Sequence, residues 1–320
     1  MHLARLYDDT ELSMPVCIVR GKKPGPTLFI SGAIHGDEII GPEVIGRILQ
    51  DKRLRQIHGT LIAIPVINVF GYNARSRYLP DRRDLNRCFP GSADGSLGSR
   101  VAHLFLHEIV KKCDYGIDLH SGSNHRYNLP QIRAYFEEGS ELEAMARAFG
   151  TPVILNSRIR DGSLREAAID LGVKTLLFEG GEGLRHDDKL IRLAIRGIYS
   201  VMAQIGMIAN QKPKHMLQES LIAKGSHWLR APVSGNFTPT KRIGAKVEKG
   251  DIVGFVKNIF GEKIGSIASR TSGIIIGQKL LPLVNKGDAV FHVAIFQDSD
   301  ELDLVSDLVG DYVEGEGLSS

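Results

Sequence analysis

His35 and Glu38 are spaced so that both side chains can bind one metal ion. The sequence SGAIHGDE runs from Ser31 to Glu38 directly after a predicted strand, so the pair lies at a turn that enters a helix. Imidazole nitrogens and carboxylate oxygens are zinc ligands, and a catalytic zinc takes three protein ligands and a water. The alternative is a surface loop in which the helix dipole stabilises Glu38, because short motifs also occur by chance.

His120 is the candidate for the third ligand, at the end of the predicted strand YGIDL. Open α/β sheets bind ligands beyond the carboxyl ends of their strands, which is where His120 lies. Asp118, two residues earlier, shares its strand face and can orient the imidazole. A histidine satisfied within the core, and an Asp118 that caps a helix or forms a salt bridge, are the alternatives. We expect one zinc ion per subunit on His35, Glu38 and His120.

Glu179 is the candidate general base. It follows four apolar residues in TLLFEGGEG, where a carboxylate is costly to bury without a purpose. Beside a metal-activated water, such a group accepts a proton and then donates it to a leaving amine. Glu182, beyond two glycines, is the weaker candidate, and pairing of Glu179 with an arginine is the alternative.

An arginine-rich segment, NARSRYLPDRRDLNRCFPG, lies between the first two sites. Its guanidinium groups can bind carboxylates and stabilise an oxyanion, as arginines do in many active sites. Without a metal site nearby, a solvated basic loop is the simpler interpretation.

The elements that must position these residues alternate between strands and helices in the first two-thirds of the chain. Apolar runs predict buried strands at Thr27–Ser31, Leu61–Ile67, Tyr115–Leu119, Pro152–Leu155 and Val173–Phe178. Amphipathic patterns predict helices at Glu38–Gln50, Ser99–Lys111, Ser140–Phe149, Ser163–Leu171 and Asp187–Met207, with Ser99, Ser140 and Ser163 as N-caps. Alternation of this kind predicts an α/β sheet with helices on both faces.

The last hundred residues change character, since glycines and β-branched residues replace the helical periodicity. Short strands are predicted at Arg230–Gly235, Val247–Gly250, Thr271–Ile276 and Leu283–His292. The polar segment Asn210–Lys214 is the predicted linker. We therefore expect two domains, 1–212 (α/β) and 213–320 (all β).

Composition sets the class of protein. The 320 residues are 42% hydrophobic and 24% charged with a net charge of +3, and no dense basic block suggests a nucleic-acid partner. Three cysteines without CxxC spacing indicate free thiols and a reducing compartment. No signal peptide or membrane-spanning segment is evident, so a soluble cytoplasmic protein is expected.

Four motifs taken together resemble one known family. HGDE at His35–Glu38, DLNR at Asp84–Arg87, DLH at Asp118–His120 and FEGGE at Phe178–Glu182 resemble, over roughly residues 25–210, the succinylglutamate desuccinylase/aspartoacylase family. That family is a branch of the zinc carboxypeptidases of the carboxypeptidase A type. The resemblance implies a mixed, largely parallel sheet with helices on both faces, and a smaller C-terminal β domain that caps the site and resembles a lipoyl/biotinyl barrel.

The resemblance also implies roles for individual residues. Zinc would lie on His35, Glu38 and His120, with Glu179 as the base. Arg77 would polarise the scissile carbonyl and stabilise its oxyanion, and Asn86 and Arg87 would hold a substrate carboxylate. The implied reaction is hydrolysis of a linear amide in an N-acyl amino acid or a related small acyl-amine.

The chain departs from that pattern in the residues that hold the substrate. Aspartoacylase-like enzymes hold an acidic substrate with a tyrosine of the β domain and an arginine before the base strand. This chain has no tyrosine from residue 201 to 311, and Arg165 is not clearly the equivalent arginine, so the acidity of the substrate stays open. The hairpin Asn258-Ile259-Phe260-Gly261 lacks a lysine flanked by methionine, so neither lipoylation nor biotinylation is expected.

Three other functions remain open from the sequence. They are a metallocarboxypeptidase acting on short peptides or cell-wall fragments, an ester hydrolase, and a non-catalytic metal-binding module. The oligomeric state, including a homo-oligomer, is also open.

Overall fold

The computed structural model describes residues 1–209, 220–297 and 299–314. In these ranges the helices are α1 (Ile40–Leu49), α2 (Val69–Ala74), α3 (Leu97–Glu108), α4 (Glu141–Phe149), α5 (Leu164–Asp170), α6 (Asp188–Gln204) and α7 (Ser299–Glu314). The strands are β1 (His2–Arg5), β2 (Glu11–Ser13), β3 (Cys17–Arg20), β4 (Lys23–Gly32), β5 (His58–Ile64), β6 (Tyr115–Gly122), β7 (Arg126–Ala134), β8 (Val153–Asn156), β9 (Lys174–Glu182), β10 (Leu221–Ala223), β11 (Gly225–Arg230), β12 (Gly235–Pro239), β13 (Lys246–Val247), β14 (Ile252–Lys257), β15 (Lys263–Ala268), β16 (Gly273–Lys279), β17 (Leu283–Val284) and β18 (Ala289–Ile295).

A twelve-stranded sheet forms the centre of the described structure. Its main path is β11-β18-β16-β7-β9-β6-β4-β5-β3, with β8, β10 and β13 paired at its sides. Strands β9, β6, β4 and β5 are parallel to one another. Strands β3, β7 and β16 are antiparallel to the strands beside them on this path. The predicted mixed α/β sheet is confirmed, and its parallel strands end at one common edge.

Helices cover both faces of this sheet, as predicted. Successive side chains of β4 point to opposite faces. Leu28 and Ile30 pack in a buried core with side chains of α1, α4 and α6, whereas Phe29 packs with side chains of α3 and α5. The sheet is therefore buried between two helical layers. A functional site can form at the edge where the parallel strands end.

The predicted elements exist, with shifted ends. The five predicted strands are β4, β5, β6, β8 and β9, and the five predicted helices are α1, α3, α4, α5 and α6. Ser140 and Ser163 cap α4 and α5 as predicted. The N-cap at Ser99 is wrong, because the Ser96 hydroxyl accepts the Ser99 amide and begins α3 three residues earlier.

The C-terminal part is rich in strands, as predicted, but it is not all β, because α7 follows the last strand. Its strands belong to two sheets: β11, β13, β16 and β18 extend the central sheet, while β12, β14, β15 and β17 form a sheet of four strands.

Strand positions in this part were predicted only in outline. The predicted strand Arg230–Gly235 is wrong, since it is the connection from β11 to β12. Val247–Gly250 overlaps β13 by one residue, Thr271–Ile276 overlaps β16, and Leu283–His292 is divided into β17 and β18. The predicted linker Asn210–Lys214 and the boundary at residue 212 lie within 210–219, outside the described residues.

Two further properties bear on function. The three cysteines are free, as expected from their spacing. None of the helices in the described ranges is long and apolar enough to cross a membrane.

Candidate metal centre and active site

His35, Glu38 and His120 converge at the end of the parallel strands. Each offers one ligand atom, and these atoms lie within 4.8 Å of one another. The three residues are at most 4% exposed. Glu38 bridges the pair, with Oε1 2.7 Å from His35 Nδ1 and Oε2 2.9 Å from His120 Nδ1. The structure therefore brings together the three residues that the sequence proposed as ligands.

The loop that carries His35 and Glu38 is held by a close backbone approach. It leaves β4 and enters α1, and a Cβ at Gly36 would lie 1.9 Å from the carbonyl carbon of Gly71 in α2. Only glycine fits at this position, between the two candidate ligands. His120 reaches the same point from β6, which lies beside β4 in parallel.

Carboxylates hold the outer nitrogens of both imidazoles. His35 Nε2 lies 3.1 Å from Asp84 Oδ1, and His120 Nε2 lies 2.7 Å from Asp118 Oδ2. The other Asp118 oxygen accepts the Ser31 hydroxyl at 2.7 Å. An Nε2–H that donates outward leaves the Nδ1 lone pair facing inward, which is the arrangement of metal-binding histidines.

The chemistry of this donor set fits a bound cation. With their outer nitrogens donating, both Nδ1 lone pairs face the Glu38 carboxylate, and lone pairs at such distances repel unless a positive charge lies between them. Burial opposes charge on His35 and His120, but the surrounding carboxylates raise the pKa of both. Burial likewise opposes charge on Glu38, yet the two histidines hold its pKa well below its usual value. Two histidines and one carboxylate are a known zinc set.

Glu179 lies beside the cluster of His35, Glu38 and His120. It pairs with His120 in the parallel register of β6 and β9, and its side chain is 13% exposed. Asn128 of β7 donates from Nδ2 to Glu179 Oε2 at 2.6 Å. Arg133 Nη1 lies 3.7 Å from Oε1, so the arginine partner considered as an alternative is also present. One carboxylate oxygen is thus held by an amide, close to the proposed metal position.

Arg77 lies next to Glu38 and Asp84. Its Nη2 donates to Asp84 Oδ2 at 2.8 Å, and its Nη1 lies 3.6 Å from Glu38 Oε1. Burial opposes its charge, but Glu38 and Asp84 raise its pKa. A guanidinium fixed at this point can approach the oxygen of a substrate carbonyl that reaches the cluster.

Asn86 and Arg87 lie in a short 3-10 turn, Leu85–Arg87, that borders the same cavity. Asn86 is buried, and its Oδ1 accepts the amide of Leu164 at 2.8 Å, which leaves its side-chain NH2 for other contacts. Arg87 is exposed and donates from Nη1 to the carbonyl of Asn86. Asn86 therefore offers the cavity a side-chain amide that is held in place by Leu164, and Arg87 offers it an exposed guanidinium group.

The cavity next to His35, Glu38 and His120 has a volume of about 130 Å³, and many of the residues that line it are arginines. Trp228 of β11 lines it from the C-terminal part. Glu182, the weaker candidate for the base, ends β9 opposite Tyr127 and Gly122. The lining arginines are Arg77, Arg87, Arg126, Arg133, Arg160 and Arg165.

Several residues of this site were not singled out from the sequence. Asp84 belongs to the DLNR motif, and an acid just before the proposed substrate residues was a usable signal for it. Asn128 and Arg133 lie on β7, which was not predicted because buried polar residues interrupt its apolar pattern. Trp228, the single tryptophan, carried no local signal of its position.

The family model of the succinylglutamate desuccinylase/aspartoacylase catalytic domain matches residues 24–205. The chain is 25% identical over 295 residues to the N-alpha-acetyl-L-2,4-diaminobutyric acid deacetylase of Halomonas elongata, covering 88% of this chain and 85% of that protein.

Solved structures share the architecture over most of its length. The succinylglutamate desuccinylase/aspartoacylase of Rhodobacter sphaeroides superposes with a TM-score of 0.80 at 25% identity, covering 90% of each chain. The product-bound ectoine utilization protein EutE (DoeB) of Ruegeria pomeroyi superposes with a TM-score of 0.84 at 25% identity, covering 92% of this chain and 93% of that chain.

Proposed function

The chain belongs to the succinylglutamate desuccinylase/aspartoacylase family, and we propose that it is a zinc-dependent deacylase that hydrolyses a small N-acyl amino acid or related acyl-amine. The observation that carries the proposal is the convergence of His35, Glu38 and His120 with Glu179 in register beside them. A pure metal-binding site needs no carboxylate held next to the ligands, whereas a hydrolase needs one.

His35, Glu38 and His120 are the residues that would hold the metal. Zinc bound there would act as a Lewis acid and lower the pKa of water to about 7, so that neutral pH suffices. Asp84 and Asp118 orient the two imidazoles through their outer nitrogens. The remaining catalytic work falls to side chains of the cavity.

Glu179 is proposed to move the proton. Its carboxylate takes a proton from the attacking water as oxygen bonds to the amide carbon. It then passes that proton to the departing nitrogen as the carbon–nitrogen bond breaks, which gives a carboxylic acid and an amine. Asn128 keeps the carboxylate in place through Oε2. Arg77 donates to the carbonyl oxygen while that oxygen carries negative charge.

Asn86, Arg87 and the C-terminal part are proposed to select the substrate. Asn86 and Arg87 would hold a carboxylate of the amino-acid portion with an amide and a guanidinium. The chain is proposed to consist of a hydrolase domain, 1–212, and a β-rich part, 213–320. Trp228 of the β-rich part lines one side of the cavity, so this part would limit the access of long peptides. This part is also proposed to resemble a lipoyl/biotinyl barrel.

The relative from Halomonas elongata suggests deacetylation as the reaction type. Its diaminobutyrate product carries a second amine, which is a cation at neutral pH. The arginines that line the cavity of the present protein would repel that cation. We therefore propose that this protein cleaves the same kind of amide bond in a substrate whose amine portion differs from diaminobutyrate.

The experiment compares two glutamates on one strand. Zinc-loaded wild-type protein, Glu179→Gln and Glu182→Gln are assayed on a panel of N-acyl amino acids, short peptides and esters, with zinc measured in each. We expect the wild type to cleave at least one N-acyl amino acid and Glu182→Gln to keep most of that activity. Glu179→Gln should retain zinc and lose about 10²-fold or more of the rate.

Each rival predicts a different pattern. Preferred cleavage of peptides would favour a carboxypeptidase, and preferred cleavage of esters would favour an esterase. Zinc in place with no hydrolysis anywhere in the panel would indicate a binding module. Full activity of Glu179→Gln would remove that residue from the role of base.

A further inference from the structure

Two histidines lie one turn apart on α3, and the proposed catalytic site uses neither of them. His103 and His107 are the two ends of the segment HLFLH. Residues four apart on a helix are neighbours on one face. The centroids of the two imidazole rings lie 4.2 Å apart, with 44° between the ring planes. We call His103 and His107 the histidine pair.

The helix that carries the histidine pair is held in place by the rest of the protein. Ser96 caps its N-terminus, and its apolar face is buried in the core through Val101, Ala102, Phe105 and Leu106. His103 is partly exposed and His107 is exposed, so a solute can reach both rings. Because the helix is already formed, a ligand that binds the pair has to order only two side chains.

No side chain outside the pair engages either imidazole. Among the described residues, neither His103 nor His107 makes a hydrogen bond or an ion pair, and the ring contact within the pair is what the structure shows. Glu108, the carboxylate next in sequence, accepts from Lys112 Nζ at 2.7 Å. The ring nitrogens of both histidines are therefore available to a ligand from solution.

The chemistry of the histidine pair fits a transition-metal ion. Imidazole nitrogens bind Zn²⁺, Ni²⁺ and Cu²⁺, and two histidines four residues apart on a helix can bind one ion together. Zinc holds nitrogen at about 2.0–2.1 Å, so two nitrogens on one ion lie about 3.3 Å apart. Rings with centroids 4.2 Å apart can reach that separation by rotation of the side chains. His107 lies in the last turn of α3, where the helix dipole favours a cation.

We infer that the histidine pair is a second metal site, which takes one divalent transition-metal ion from solution with two imidazoles and water as its ligands. The site shares no residue with the cluster of His35, Glu38 and His120 and does not depend on the proposed deacylase function. Two protein ligands hold an ion more weakly than three, so the pair fills after the cluster. It should still bind about tenfold or more tightly than a lone surface histidine, because the second contact is intramolecular.

A zinc titration tests the second site without any turnover. Full-length protein that already carries one equivalent of zinc is titrated with further Zn²⁺ in a calorimeter, at a pH of about 7.5, where metal-binding imidazoles are neutral. We expect a second equivalent to bind, more weakly than the first. Its binding should also raise the melting temperature, because the ion joins two successive turns of α3 in the folded chain alone.

Variants locate the second equivalent. His103→Gln and His107→Gln should each weaken its binding by about tenfold or more, because one imidazole is left. His107 is exposed, so His107→Gln serves if His103→Gln does not fold. His186→Gln is the matched control, since His186 is an exposed histidine in the connection before α6. His2→Gln is a second control, because His2 follows the terminal amine of Met1 and the two could chelate an ion.

Each outcome supports or overturns one claim. A second equivalent that is lost in the variants of the pair and kept in both controls supports the inference. The inference is overturned if the wild type binds no second equivalent, or if the second equivalent survives in both His103→Gln and His107→Gln. Its loss in His186→Gln or His2→Gln would place the ion elsewhere and would also overturn it. A second site on the pair without hydrolysis of any acyl-amine would overturn the deacylase and not the site.

Discussion

Replacing Asp84 by asparagine is expected to weaken zinc binding and slow turnover at the same time. Asp84 Oδ1 accepts from His35 Nε2 at 3.1 Å, and Oδ2 accepts from Arg77 Nη2 at 2.8 Å. One carboxylate thus orients a proposed metal ligand and the cation proposed to stabilise the oxyanion. Asparagine has a single acceptor oxygen, so its NH2 group must face either Arg77 or the side where His35 and the Asn86 backbone amide donate to Oδ1.

The size of each effect follows from these two contacts. Loss of a carboxylate behind a ligating histidine weakens metal affinity about 10–100-fold, or about 1.4–2.8 kcal/mol. A hydrogen bond to a charged group contributes about 1.5–3 kcal/mol, so a displaced Arg77 should lower kcat by about tenfold or more. Asp118→Asn is the matched control, because Asp118 contacts His120 and the Ser31 hydroxyl and makes no contact with Arg77 in the described structure.

The assay separates binding from turnover. Zinc affinity is measured by competition with a chelator, and kcat is measured at saturating zinc on the best substrate of the panel. Both variants should lose zinc affinity, but only Asp84→Asn should lose kcat once zinc is saturating. Unchanged zinc affinity in both variants would refute the orienting roles of Asp84 and Asp118. An equal loss of kcat in both would refute the link through Arg77.

Two more outcomes follow from side chains around the cavity. Asn128→Ala removes the 2.6 Å contact to Glu179 and should lower kcat by about tenfold with zinc content unchanged, whereas an unchanged kcat would contradict its positioning role. Burial and the nearby Arg133 hold the pKa of His292 well below its ordinary value, so the unfolded chain takes up a proton that the folded chain does not. Stability should therefore fall as the pH drops below about 6.5, by up to about 1.4 kcal/mol per pH unit. Urea unfolding should show a shallower decline for His292→Phe, and equal slopes would contradict this assignment.

The cluster of proposed metal ligands was predictable because local rules place its members. His35 follows β4 and His120 ends β6, and parallel neighbours must end at one edge of the sheet. Glu179 follows from the same rule, since β9 is the parallel partner of β6. The apolar runs that mark these strands were visible in the sequence, so strand ends could be matched with the residues that follow them.

The partners that orient these residues were not predictable in the same way. Asp84 reaches His35 across 49 residues and Asn128 reaches Glu179 across 51, in contacts that no spacing rule specifies. The strand β7 cannot be recognised from an apolar pattern in the sequence, because it buries the polar residues Asn128 and Gln131 and contains Pro130. Buried polar residues weaken the apolar signal of a strand where the strand serves a site.

The continuity of the C-terminal strands with the central sheet bears directly on the proposed base. β16 pairs with β7 so that Gly277 lies opposite Asn128. A Cβ at Gly277 would lie 3.1 Å from Asn128 Oδ1 and 3.1 Å from the Cβ of His292, so a side chain there would crowd both residues. Glycine at this point leaves Asn128 room to direct its Nδ2 to Glu179. The C-terminal part therefore shapes the cavity through a backbone pairing as well as through Trp228, and its strands cannot be removed without disturbing the carboxylate beside His120.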